Sequence, residues 1–325
     1  MLELNNLTPP LKWVGGKRKI VEIIQSAAEN IGSPFTYYEP FFGGGAIFFS
    51  LYSKGFLKNA HLNDVVPQVV NFYNVISNKD ERNILKKEAK KIESKFNSLN
   101  TDIEKRKEQY INFRESFNDS WEYFVAGDKK KDPESKAKLA AQFLALNKLG
   151  FNGMYRVNSE GRFNIPMGSP VEKKLFDKEN LDAVGDALSK VNFTCDDYSN
   201  VKPFKGSVNK NNLIFLDPPY IPNSKTANFT DYSVEGFNKD SHIKLSNDFS
   251  KLIENTNYNV IFTNNFNEMS VELFVDRNQK NKRLSVYKFN ITKTISAKNT
   301  GRGNTKELLI STFPINHEKL EKFSL

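Results

Sequence analysis

The chain changes texture twice along its 325 residues, and those changes bound what it can fold into. Residues from about 67 to 150 carry helical periodicity and heavy charge, with few strand signals. On either side, short apolar runs alternate with amphipathic ones. Residues 35–40 read as a strand, Gly43-Gly44-Gly45 as a turn, and residues 46–51 as the start of a helix. Residues 57–62 read as a second strand that ends at Asn63-Asp64. In the middle, helices are expected over 79–96, 103–117 and 133–149. A hairpin follows, with arms Gly153-Met154-Tyr155-Arg156-Val157 and Arg162-Phe163-Asn164-Ile165 around the turn Asn158-Ser159-Glu160-Gly161. From about residue 190 the α/β rhythm resumes, with strands expected at 191–195, 213–217, 259–263, 284–289 and 308–313 and a helix at 239–255. The expected fold is an α/β sheet domain made of two separated segments, 1–66 and 171–325. They are split by a mainly helical insertion, 67–170, that carries the hairpin.

Composition narrows the setting. No apolar run approaches the roughly 20 residues needed to cross a bilayer. The N-terminal Met1-Leu2-Glu3-Leu4-Asn5-Asn6 lacks the basic-then-apolar pattern of a secretory signal. A single cysteine, Cys195, excludes an intramolecular disulfide, and with only three histidines no metal site is expected. A soluble, cytoplasmic protein is therefore expected. The net charge of +9 points weakly to a polyanionic partner, because abundant Lys, Asn and Ile also follow from an AT-rich coding sequence. The run Lys129-Lys130-Lys131 reads as part of a solvated loop.

Three motifs carry chemistry. Asp217-Pro218-Pro219-Tyr220 directly follows the apolar run Asn212-Leu213-Ile214-Phe215-Leu216. It therefore sits at the carboxyl end of a buried strand, where open α/β sheets bind ligands. Asp217 can accept a hydrogen bond from an amino group on a flat ring, and Tyr220 offers a face for stacking. Pro218 and Pro219 lack N–H donors and hold φ near −65°, so they can turn carbonyls outward. A simple strand-ending turn is the alternative for the tetrapeptide taken alone. The second motif, Glu39-Pro40-Phe41-Phe42-Gly43-Gly44-Gly45-Ala46, links a strand to a helix. Its glycines let backbone N–H groups approach a ligand. Asp64 ends the next strand about 20 residues on, where an acidic side chain meets a ribose diol. A nucleoside-bearing cofactor is implied, though not through a G-x-G-x-x-G fingerprint. The third motif, Lys12-Trp13-Val14-Gly15-Gly16-Lys17-Arg18, is not a P-loop. Arg18 replaces the required Ser or Thr, and Leu11 stands where the first glycine belongs.

In this order, Lys12-Trp13-Val14-Gly15-Gly16-Lys17, Glu39-Pro40-Phe41-Phe42-Gly43-Gly44-Gly45 and Asp217-Pro218-Pro219-Tyr220 resemble the Dam-type DNA adenine-N6 methyltransferases, in the α-group of S-adenosylmethionine-dependent amino methyltransferases. The likeness runs through Asn147-Lys148-Leu149-Gly150-Phe151-Asn152-Gly153-Met154-Tyr155-Arg156, through Gly161-Arg162-Phe163-Asn164-Ile165-Pro166-Met167-Gly168, and through Thr226-Ala227-Asn228-Phe229-Thr230. It ends with Lys293-Thr294-Ile295-Ser296 and Lys306-Glu307-Leu308-Leu309.

The resemblance implies a Rossmann-like class I methyltransferase sheet with one antiparallel strand, and an inserted helical target-recognition domain containing the hairpin. It implies S-adenosylmethionine as cofactor, held by Trp13, Lys17, Glu39, Phe41, Gly43, Gly44, Gly45, Asp64 and Asp217. Asp197 is expected at the cofactor adenine, with Asp196 as the neighbouring candidate. Asp217, Pro218, Pro219 and Tyr220 are the expected catalytic residues. Double-stranded DNA is the expected partner, read by Asn152, Met154, Arg156 and Pro166 on the hairpin. Lys293, Lys298, Arg302 and Lys306 are expected at phosphates, although a solvated loop serves equally for that segment. The family's target is most often GATC. One departure is Ser169, where some Dam proteins place an arginine, so one DNA contact is expected to differ. A prokaryotic or phage-infected cell is the implied setting. A monomer is expected, and a restriction endonuclease acting on the same site is a candidate partner. The motifs by themselves leave open another amino acceptor, such as cytosine N4, RNA adenine or protein glutamine, and a catalytically inert DNA-binding relative.

Overall fold

A computed structural model describes residues 7–32, 34–127, 132–169, 173–222, 237–292 and 304–323. Its centre is an eight-stranded sheet of β1 (Phe35–Glu39), β2 (Leu57–Asn63), β3 (Asn192–Thr194), β4 (Asn212–Leu216), β5 (Val260–Asn265), β6 (Ser285–Thr292), β7 (Asn304–Ser311) and β8 (Glu321–Phe323), in the order β3-β2-β1-β4-β5-β7-β6-β8. The first five positions are parallel, and β7 lies antiparallel between β5 and β6. Two strands, not one, oppose the rest, because β8 also pairs antiparallel with β6. Three residues with two charges gave β8 no readable pattern, and it serves to cover the otherwise open edge of β6.

Around the sheet lie α1 (Val21–Ile31), α2 (Ala46–Ser53), α3 (Pro67–Ser77), α4 (Lys79–Asn97), α5 (Ile103–Ala126), α6 (Pro133–Leu149), α7 (Lys178–Leu188), α8 (Lys239–Glu254) and α9 (Glu268–Phe274). The central strands are apolar on both faces because both faces are covered. Along β4, Leu213 and Phe215 join one apolar cluster, and Ile214 and Leu216 join the other. The second cluster is closed by Leu245 and Phe249 of α8 and by Leu273 and Phe274 of α9. The first takes in Ile23 of α1, Phe48 of α2 and Phe72 of α3, and then runs without a break into Leu85 of α4, Phe117 of α5 and Leu144 of α6. The apolar side of the charged middle of the chain is thus continuous with the core of the sheet.

Local chemistry explains most boundaries. Pro133 opens α6, and the Asp132 carboxylate accepts from the backbone N–H groups of Glu134 and Ser135. Helix α5 runs past the expected residue 117 to Ala126, because Phe117, Trp121 and Phe124 extend one aromatic seam along it. Strand β6 reaches Thr292 and β7 starts at Asn304, both beyond their expected apolar cores, because an eight-pair antiparallel ladder carries the polar residues. The chain reverses at 158–161 as expected, with Gly161 at φ 79°. The hairpin arms, however, form only an isolated bridge, Val157 with Phe163, and a second, Gly150 with Met167, lies just outside them. Side chains from α5 replace the missing ladder. Asn118 donates to the Phe163 carbonyl and accepts from its N–H, and the Tyr110 hydroxyl donates to the Ile165 carbonyl. Among the described residues no helix is long and apolar enough to cross a membrane.

Candidate active site

The carboxyl ends of β1, β2, β4 and β5 converge, and each delivers a side chain or loop. Leu216 is the last residue of β4, so Asp217 emerges at the sheet edge. Its Oδ1 receives the Lys17 ammonium at 3.0 Å and the Thr263 hydroxyl of β5 at 2.8 Å. Among the described residues no hydrogen-bond donor meets Oδ2. Lys17 is buried. It also donates to the Gly15 carbonyl at 3.1 Å, lies 4.2 Å from the centre of the Tyr220 ring, and stands 4.0 Å from Glu307 of β7. The Tyr220 hydroxyl donates to Glu307 Oε2 at 2.7 Å. Beyond Tyr220 the backbone is pinned at Ile221. Asn264 accepts from its N–H, and Asn265 and Asn267 donate to its carbonyl. Pro218 is buried and Pro219 half-buried, and neither N–H exists to compete for these acceptors.

Burial pushes the Asp217 carboxyl above its ordinary range, while Lys17 and the Thr263 hydroxyl act the other way. Burial also raises the Tyr220 phenol, with Asp217 and Glu307 adding repulsion. The tyrosine is therefore a neutral, fixed ring.

The glycine turn forms a second centre. Gly43 has φ 51° and Gly45 has φ 72°. A Cβ on Gly43 would fall 2.6 Å from Trp13 Cδ1, so the indole is seated directly on the turn. The same indole stacks on Tyr155 of the hairpin, with ring centres 5.7 Å apart. Asp64 closes this centre from β2. Its Oδ2 accepts from the Gly43 N–H at 2.7 Å and its Oδ1 from the Val66 N–H at 2.9 Å. Burial nevertheless pushes the carboxyl up to about 6 against those donors. Glu39 is also buried, and among the described residues its Oε2 has no hydrogen-bond partner. A turn that only glycine can form, a carboxylate held by two backbone donors and an unpaired buried carboxylate oxygen suit a ligand with a diol and a cationic group.

A profile of the D12 class of N6 adenine-specific DNA methyltransferases matches residues 13–291, from Trp13 past the tetrapeptide to the end of β6. The chain belongs to that family. It is 36% identical over 267 residues to the type II methyltransferase M.MjaIII of Methanocaldococcus jannaschii, covering 78% of this chain and 86% of the relative. It is 31% identical to a DNA adenine methylase of Vibrio cholerae, over 92% of this chain and 94% of that one. With the type II methyltransferase M1.LlaDCHI of Lactococcus lactis subsp. cremoris it shares 29% identity over 95% and 96% of the two chains.

The methyltransferase brings most of the sequence-derived candidates into two adjoining groups. Lys17, Asp217 and Tyr220 form one; Trp13, Gly43 and Asp64 form the other, with Gly44 and Gly45 in the same turn and Glu39 at its base. Phe41 packs against the Tyr198 ring at 5.2 Å. Asp197 is exposed, caps its own turn at Ser199 and pairs with Lys244 at 3.6 Å. Asp196 is tied through its backbone to Asn63, which also donates to the Pro40 carbonyl and so joins the ends of three strands. On the hairpin, Asn152, Arg156 and Pro166 are exposed and Met154 half-buried. Asn152 holds a left-handed φ of 55°, and the Arg156 Nε donates to Asn164 at 2.8 Å. Lys293, Lys298 and Arg302, with the 226–230 segment, lie outside the described residues; Lys306 is exposed on β7. Two site residues carried no role in the sequence reading, Thr263 and Glu307. Both stand on strands whose neighbours depend on sheet order, which apolar runs do not encode.

Proposed function

We propose that this methyltransferase moves a methyl group from S-adenosylmethionine to the N6 amino group of adenine in duplex DNA, within GATC, after the base leaves the helix. The observation that carries the reading is the state of Asp217: one carboxylate oxygen is saturated by Lys17 and Thr263, and the other is left to accept from a substrate. The N6 nitrogen of adenine is a poor nucleophile because its lone pair is delocalised into the ring. Asp217 and the Pro218 carbonyl accept its two hydrogens and pull it toward a tetrahedral arrangement. The ionised carboxylate also stabilises the positive charge that develops on nitrogen. These are positioning and electrostatic effects. Tyr220 supplies a stacking face that offsets part of the few kcal/mol spent on flipping the base.

The bound cofactor would supply an electrophilic sulfonium methyl for direct in-line transfer. Asp64 would hold its ribose, and Trp13, Lys17, Glu39, Phe41, Gly43, Gly44 and Gly45 would line its site, with Asp197 or Asp196 at its adenine. Residues 67–170 would serve as the target-recognition unit. There Arg156 is suited to a guanine O6/N7 pair and Asn152 to a base edge, with Met154 and Pro166 beside them. Lys293, Lys298, Arg302 and Lys306 would meet phosphates.

The test is incubation with labelled S-adenosylmethionine and duplexes that do or do not contain GATC, followed by mapping of the modified base. N6-methyladenine confined to GATC is the expected result; label on cytosine, or on RNA alone, overturns the proposal. Cofactor affinity should depend on pH through Asp64. The folded-state pKa of Asp64 is raised to about 6, above its ordinary value of 3.8. The fold therefore favours the protonated form: that contribution is complete below about 3.8 and lost as pH rises through about 6. A ribose diol favours the ionised acceptor, so affinity runs the opposite way, weakening as pH falls through about 6. Calorimetric titration across that range checks it, and a flat profile would exclude Asp64 from the ribose.

A further inference from the structure

Two groups touch the tetrapeptide from strands on the far side of β4; the scheme above uses Thr263 only to fill one oxygen of Asp217 and gives Glu307 no role. Thr263 is fully buried in β5 and gives its hydroxyl proton to Asp217 Oδ1 at 2.8 Å. Glu307 is buried in β7, accepts from the Tyr220 hydroxyl at 2.7 Å and stands 4.0 Å from the Lys17 ammonium. A carboxylate carried on a single Cβ is free to turn about two bonds, and a phenol ring about two more. The hydroxyl fixes the turn of the first and the glutamate anchors the far end of the second.

We infer that Thr263 and Glu307 are positioning residues for methyl transfer, a frame that aims Asp217 and Tyr220 at the acceptor base. The inference rests on the proposed role of Asp217. The register supports the pairing. Thr263 faces Leu309 across the β5–β7 ladder, and Glu307 faces Asn265 two residues further along the same pair of strands. Because alternate residues share one side of a strand, Thr263 and Asn265 lie on the same side. The antiparallel strand β7 thus brings a carboxylate to the carboxyl edge of a parallel sheet.

The two residues act on Asp217 with opposite sign. A hydroxyl donor favours the ionised carboxylate, whereas a second carboxylate nearby opposes ionisation. Lys17, from the glycine turn before α1, favours ionisation as well. Among the described residues, Glu39 and Tyr37 of β1 and the Tyr220 phenol also feel Asp217. If the ionised form is the hydrogen-bond acceptor, the rate rises with pH through the Asp217 pKa.

The test compares T263V, T263S and E307Q by single-turnover methylation across pH, with cofactor affinity by calorimetry and thermal melting beside it. For T263V, the expected loss in methylation rate is about tenfold or more, the lower bound for a hydrogen bond to a charged group. Its acid limb moves to higher pH and its cofactor affinity is unchanged. T263S restores rate and limb. E307Q keeps an acceptor for the Tyr220 hydroxyl but drops the charge, so its acid limb moves to lower pH. Unshifted limbs in folded T263V and E307Q, with wild-type rates, would overturn the inference while leaving the proposed function intact. Should T263V lose its fold, the direction of the E307Q shift decides alone. Retained turnover in an Asp217 variant would instead remove the reading on which the inference stands.

Discussion

Replacing Asp217 by alanine should lower the rate of DNA methylation at least tenfold to a hundredfold while the protein stays folded. A hydrogen bond to a charged group is worth about 1.5–3 kcal/mol, and each 1.36 kcal/mol is a decade in rate. The loss should exceed that range, because Asp217 also holds Lys17, whose ammonium would keep, among the described residues, the Gly15 carbonyl, the Tyr220 face and Glu307. Asp217→Asn separates the effects. It preserves shape and can still accept from Lys17 and Thr263 through its oxygen, but it presents N–H donors where the substrate amino group needs an acceptor. Both variants should bind cofactor and DNA far better than they turn over. Single-turnover transfer from labelled S-adenosylmethionine measures this, and near-normal turnover by Asp217→Asn would refute the assigned chemistry.

The second large effect concerns stability. Gly45→Ala should destabilise the fold by about 2–5 kcal/mol, the sum of a left-handed backbone conformation for a residue with a Cβ, roughly 1–2 kcal/mol, and overpacking, typically 1–3 kcal/mol. Gly45 has φ 72°, and a Cβ there would lie 2.2 Å from Phe42 Cζ. Phe42 cannot step aside. Its ring is enclosed by Phe48, Phe49, Tyr73 and Phe193. At about 2 °C per kcal/mol for a chain of this size, the melting midpoint should fall by roughly 4–10 °C. Gly55→Ala is the control. It shares a positive φ of 74° but has nothing within 4 Å of the added Cβ, so only the backbone cost remains. Equal losses in the two variants would mean that the Phe42 contact is relieved without cost.

Much of the sheet was readable because its inner strands are buried on both faces. Continuous runs such as Leu213-Ile214-Phe215-Leu216 have no plausible place on a surface, and their ends fall within a residue or two of the expected positions. Polar pairing was not readable. Residues 290–292 and 304–307 are strand by virtue of partners across the ladder, and no local pattern marks them. The same division holds at the site. Lys17 and Asp217 stand in motifs whose glycines and prolines announce themselves, and Asp64 is marked by its place at a strand end about 20 residues after the glycine turn. Thr263 and Glu307 are an ordinary threonine and glutamate in ordinary strands. What gives them a place beside the tetrapeptide is the insertion of β7 next to β5, a long-range choice that chain order leaves open.

The indole of Trp13 touches both the glycine turn and the hairpin residue Tyr155. On the proposed roles, this makes one ring a shared wall of two binding sites. Ordering it for one ligand leaves less to be ordered for the other, so occupancy of either site should tighten the other. Linkage fixes the form of that cooperation: whatever factor the cofactor contributes to DNA affinity, DNA must return to cofactor affinity. Product release is then a joint event, in which weaker retention of the spent cofactor loosens the grip on the methylated duplex.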